Sequence, residues 1–225
     1  MKRTRSAVLS LSLATFLLSA PMLWGQDLSK YRDFSLGMSL GDLTKQIGAK
    51  PADATVVHEH PALIQELTWW PRRVGNPPQP EAVRQVLFSF CDGKLYRIYV
   101  TYDDAATEGM TADDMARAVS ARYGTSTKPD TRISVPATGT YGSTEKVMDR
   151  WEDAQYSVNL LQPSFSSTFT LALLSKQLNA DAEAATAAAV KLELQNAPQD
   201  AIDRKKKETA GLEVSRAKNV QVFHP

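Results

Sequence analysis

The sequence predicts an α+β protein built from two tandem units, each a short capped helix followed by an antiparallel sheet, with a helical C-terminal extension. Three observations predict it. A near-repeat starts a helix twice, alternating apolar residues follow each copy, and after Gln177 the alternation gives way to helical spacing.

The near-repeat is Gly37-Met38-Ser39-Leu40-Gly41-Asp42-Leu43, then Gly109-Met110-Thr111-Ala112-Asp113-Asp114-Met115. In each copy a hydroxyl, Ser39 or Thr111, can accept from the free amides at a helix start, with Asp42 or Asp114 three residues on, as in a capping box. The first helix is expected to end near Gly48 and the second, about one turn longer, at Tyr123-Gly124. Lys50-Pro51 and Lys128-Pro129 follow the helices, and strand-like alternation comes next. In the first unit, residues 26–104, strands are expected near 55–60, 63–70, 83–91 and 94–102. Asp92-Gly93 joins the last two as a two-residue hairpin turn, since both residues tolerate positive φ. In the second unit, residues 105–176, strands are expected at 146–151, 155–161 and 168–175, with 130–145 as a Gly- and Thr-rich loop.

The extension, residues 177–225, places Leu178, Ala182, Ala185, Ala189 and Leu192 on one helix face. Alanine favours the helix but leaves only a thin apolar stripe for docking. Asn196-Ala197-Pro198 is expected to interrupt the helix, and a second, polar helix should run to about Lys218.

Residues 1–25 read as a signal peptide. Lys2, Arg3 and Arg5 precede an apolar run from Ala7 to Leu18, and Ser19-Ala20-Pro21 follows. The run is short for a spanning helix and is diluted by Ser10, Ser12 and Thr15, so cleavage is expected. No cysteine stands near the cleavage region to carry a lipid anchor, which makes a periplasmic or secreted bacterial protein the expectation. Removing this segment takes away three cations and no acid, so 26 basic and 25 acidic residues become 23 and 25, a net charge of −2. Such a balance offers no global footprint for nucleic acid. The single Cys91 excludes an internal disulfide framework and reads as a small core residue.

A Gly-Met-Ser/Thr capped helix leading to a glycine and an antiparallel sheet, as at residues 37–48 and 109–124, resembles the SmpA/OmlA family of small outer-membrane assembly lipoproteins. The tandem form resembles the β-lactamase inhibitor protein fold. The resemblance implies a helix-backed sheet whose open face contacts another protein. The lipobox cysteine of the first family is missing, and only one helix per unit is evident.

The residues also speak for themselves. Given the turn at Asp92-Gly93, Val86, Phe88 and Phe90 are expected to share a face with Leu95, Arg97 and Tyr99, and Leu87 to share the other with Tyr96, Ile98 and Val100. Both faces are apolar enough to need cover, one by the capped helices and the other by the C-terminal helices or a partner. Trp69-Trp70-Pro71-Arg72-Arg73 combines aromatics and cations beside a Pro-rich loop, a composition found both at binding hot spots and at strand ends anchored in a core. Candidate partner-binding residues are therefore Trp69, Trp70, Arg72, Tyr96 and Tyr99, with an envelope protein as the expected partner.

Chemistry finds little support. His58-Glu59-His60 puts two imidazoles on one strand face, but His224 is the only other histidine and Cys91 the only thiol, so a metal-dependent enzyme is a minor alternative. Asp103-Asp104 and Asp113-Asp114 are adjacent pairs that do not converge on one point. No nucleophile elbow or phosphate loop occurs, and neither a cofactor nor catalysis is expected. A small ligand in the cleft between the units is the other alternative. Arg204-Lys205-Lys206-Lys207, flanked by Asp203 and Glu208, reads as a solvated helix face.

Overall fold

The computed structural model describes residues 26–71, 82–135, 143–161 and 168–222. Ser39 opens α1 (Leu40–Ile47): its Oγ accepts from the Asp42 amide at 3.1 Å. Thr111 opens α2 (Ala112–Tyr123) with a reciprocal pair. Its Oγ1 accepts from the Asp114 amide at 3.2 Å, and the Asp114 carboxylate accepts from the Thr111 amide at 2.9 Å. Amides that no helical carbonyl can reach are satisfied in both places, so the near-repeat does start two helices. α2 closes at Gly124, whose φ is 85° and whose carbonyl accepts from Trp151 Nε1 at 2.8 Å. That positive φ is the reason for glycine here, whereas the Gln26 amide that a Cβ would meet is the end of a flexible side chain that can move aside.

A small ribbon, β1 (Lys30–Tyr31) and β2 (Phe34–Ser35), precedes α1. β3 (Thr55–His58), β4 (Ile64–Trp69), β5 (Val83–Cys91) and β6 (Lys94–Tyr102) then form an antiparallel meander. After α2, a second meander follows: β7 (Arg132–Val135), β8 (Ser143–Glu152), β9 (Tyr156–Leu161) and β10 (Thr170–Ser175). The last strands of the two meanders pair, Val100 opposite Leu171 and Ile98 opposite Leu173. One eight-stranded sheet results, in the order β3-β4-β5-β6-β10-β9-β8-β7. The boundary between the units is a pair of hydrogen-bonded strands whose side chains are mostly buried.

Asp92 and Gly93 both take positive φ, 47° and 75°, as the hairpin turn requires. The face assignment drawn from that turn is nevertheless corrected. Phe90 faces Leu95 but Ser89 faces Arg97, so Tyr96 is an extra residue, a β-bulge that slips the register by one. Val86, Phe88 and Phe90 therefore share the front face with Leu95, Ile98 and Val100. Leu87, Ser89 and Cys91 share the back with Tyr96, Arg97 and Tyr99.

The front is the main core. α1 contributes Leu43, and α2 contributes Met115, Val119 and Tyr123. Phe34, Trp151, Phe169 and the apolar strand residues complete it. Burial of each large side chain here contributes about 1.5–3 kcal/mol. On the back, α3 (Lys176–Val222) crosses near the β5–β6 turn and packs Leu178, Ala182 and Ala185 on Ile64, Cys91 and Tyr96. The β7–β8 hairpin covers the rest, with Ile133 and Val135 against Leu87, Tyr99 and Ala172. The stretch expected to be a loop, 130–145, thus contains β7 and the start of β8, while its residues 136–142 lie outside the described set.

α3 also departs from the two expected helices. It runs unbroken for 47 residues with Pro198 inside it. Proline removes one hydrogen bond and crowds the preceding turn, but on a helix surrounded by solvent the freed carbonyl can face water. Strong helix formers on both sides carry the helix through. Among the described residues, no helix is long and apolar enough to cross a membrane.

Candidate interaction surfaces

Trp69 and Trp70 are adjacent in sequence but have different environments. Trp69 is half-buried and meets Phe34 edge-to-face, with ring centroids 5.4 Å apart, so it belongs to the front core. Trp70 follows the end of β4 and is 61 % exposed. Core anchoring and surface display, the two readings of this motif, fall on neighbouring residues. Arg72 and the Pro-rich loop lie outside the described residues.

Tyr96 and Tyr99 are 3 % and 4 % exposed, and neither faces solvent in this conformation. The bulge turns Arg97 to the same side, with its guanidinium 5.1 Å from the Tyr96 ring centre and 5.2 Å from that of Tyr99. The Arg97 Nη2 stands 3.8 Å from Glu66 Oε1, and the Ser89 hydroxyl donates to Glu66 at 3.3 Å. Burial pushes the Glu66 carboxyl above its ordinary range, although Arg97 and Ser89 pull the other way. Burial likewise pushes the Tyr99 phenol up to about 12, and that phenol donates to the Ser134 carbonyl of β7. The Arg97 Nε is buried without a hydrogen-bond partner. A loose buried ion pair of this kind contributes little stability and makes the back face a poor permanent core. Sequence reasoning missed this cluster, because its assembly depends on the bulge.

The acidic pairs do local work. Asp113 accepts from Lys128 at 2.8 Å, and Asp114 caps α2 and pairs with Arg117. Asp103 accepts from the Ala105 amide at 3.0 Å, while Asp104 accepts from the Thr168 hydroxyl at 2.6 Å. Cys91 is buried, which pushes its thiol up and away from thiolate chemistry. His58 Nδ1 lies 2.9 Å from Glu193 of α3, and His60 is exposed. Among the described residues, no group of three His, Cys, Asp or Glu side chains could hold a metal ion.

The His58–Glu193 contact marks where α3 leaves the body. Ala182 and Ala189 are each 1 % exposed, whereas every described side chain from Val190 to Val222 is exposed. Leu194, Ile202, Leu212, Val214, Val220 and Val222 are among them. At roughly 1.5 Å per residue this arm is about 50 Å long. It departs beside β3, an edge strand whose Val56 and Val57 are also exposed. The basic run Arg204–Lys207 lies on the arm, with Lys206 3.9 Å from Asp203. Comparisons with family models, curated proteins and solved structures return no match.

Proposed function

We propose that this chain is a non-catalytic protein of the bacterial cell envelope, exported by its N-terminal segment to be periplasmic or secreted. It acts through protein–protein contact or as a scaffold. The observation that carries this reading is the α3 arm, which past the Glu193–His58 contact is exposed at every described side chain and displays large apolar groups along its length. A helix exposed all round gains nothing from its own fold, and its apolar residues favour burial against something else. Trp70 and the β3 edge add exposed apolar groups in the region where the arm departs. The resemblance to small outer-membrane assembly lipoproteins and to the β-lactamase inhibitor protein fold belongs to this reading. Its support is the order of elements, one capped helix then four antiparallel strands in each half.

Capture from a bacterial envelope extract tests it, using tagged full-length protein, a version truncated after Gln195, and Trp70→Ala. The expected result is a specific protein retained by the full-length chain, lost on truncation and weakened by Trp70→Ala. Identical capture by all three, or none by any, would overturn the reading.

A further inference from the structure

We infer that the α3 arm pairs antiparallel with the arm of a second copy of this chain, about a two-fold axis between Lys206 and Lys207. This rests on the reading above, because it names a partner for the arm. At about 100° per residue, Val190, Leu194, Ala201, Lys205, Glu208 and Leu212 fall in one stripe about 60° wide. All six are exposed.

The stripe is self-complementary in one direction only. With the axis between Lys206 and Lys207, Lys205 faces Glu208 of the second copy and Glu208 faces its Lys205. Ala201 faces Leu212 of the second copy and Leu212 its Ala201, large against small, which lets two helices approach closely. Leu194 faces Asn219 of the second copy. A parallel pair would instead set Lys205 on Lys205, Glu208 on Glu208 and Ala201 on Ala201, with two like-charge contacts and a gap in the seam.

In this register the two bodies stay at opposite ends of the paired arms. Two-fold pairing of one patch on itself is an isologous, closed contact. Alanine and charge in the seam make it weak, so the dimer forms reversibly with concentration.

Sedimentation equilibrium of the full-length protein over a wide concentration range tests the inference. Wild type is expected to dimerise reversibly, and Glu208→Lys or Lys205→Glu alone to weaken the dimer roughly tenfold. The double reversal, Lys205→Glu with Glu208→Lys, is expected to restore it. Lys207→Glu, on the opposite side of the helix, is expected to change nothing. In a second measurement, in a Cys91→Ser background, Ala201→Cys and Leu212→Cys proteins should form a disulfide-linked pair only when mixed. A dimer tightened by either single reversal, or single reversals that behave like Lys207→Glu, would overturn the antiparallel register. A wild-type chain that stays monomeric throughout would overturn self-pairing altogether. If that monomer still loses an envelope partner on truncation after Gln195, the interaction reading survives without the self-pairing.

Discussion

Phe88, Phe90, Trp151 and Phe169 close the front of the sheet against α1 and α2, whereas alanines of α3 and a short hairpin cover tyrosines, an arginine and a glutamate on the back. The same strands build both faces, since β5 and β6 present opposite side chains to each. What differs is the size and polarity of what lies on top. Large apolar groups lose most when water reaches them, so the front should hold the fold. On the back, a thin stripe of α3 and a short hairpin lie over a sheet that carries a loose ion pair, so α3 is held in place without becoming part of the main core.

The largest blow to that contrast is Trp151→Ala, which removes a side chain 1 % exposed whose indole bonds Ser120 and Gly124 of the α2 end. Its expected loss is about 3–5 kcal/mol in urea unfolding. A loss below 1 kcal/mol would mean that the front is not the main core. Ala182→Glu places a charge between α3 and Tyr96 and is expected to cost less, about 1–3 kcal/mol, with faster amide exchange along residues 176–189 while the sheet stays protected. Equal exchange in α3 and the sheet would show that the helix and the sheet unfold as one.

Glu66 gives a smaller, pH-dependent effect. Its folded-state pKa is raised, chiefly by burial, so the folded state holds its proton more tightly than the unfolded state does. That contribution is fully present below the ordinary glutamate range and is lost as pH rises through the raised folded value. Wild type should therefore lose stability relative to Glu66→Gln as pH climbs from 4 towards 7. A difference that stays flat with pH would remove the burial argument. The smallest effect is expected from truncation after Gln195. Every described side chain it removes is exposed, so stability should stay within about 0.5 kcal/mol.

Features set by neighbouring residues were legible in the sequence. Ser39 with Asp42 and Thr111 with Asp114 are local capping chemistry, and Asp92-Gly93 is a local turn, so both helices and the hairpin could be read directly. Features set at a distance were not. The bulge at Tyr96 answers to packing across two faces, and no turn rule contains it, so the turn alone puts Arg97, Ile98, Tyr99 and Val100 on the wrong sides. Tyr96 and Tyr99, candidate partner-binding residues by sequence, lie beneath α3 and β7. Pro198 ordinarily argues for a break, yet flanking helix formers outweigh it on an exposed segment. The strand β7 was hidden by its shortness, although Ile133 and Val135 alternate with Arg132 and Ser134. The arm itself follows from the thinness of the alanine stripe, of which Ala189 is still buried but Leu192, its expected last member, is exposed.

On the reading proposed above, the exposed arm of α3 is where this protein meets another chain. Photo-crosslinking in living cells tests it most directly, with a photoreactive residue placed singly at Leu194, Leu212 or, as a control on the exposed surface of α1, Lys45. Discrete adducts from Leu194 and Leu212 with none from Lys45 are the predicted result. No adduct from the arm, or the same adducts from all three positions, would contradict it.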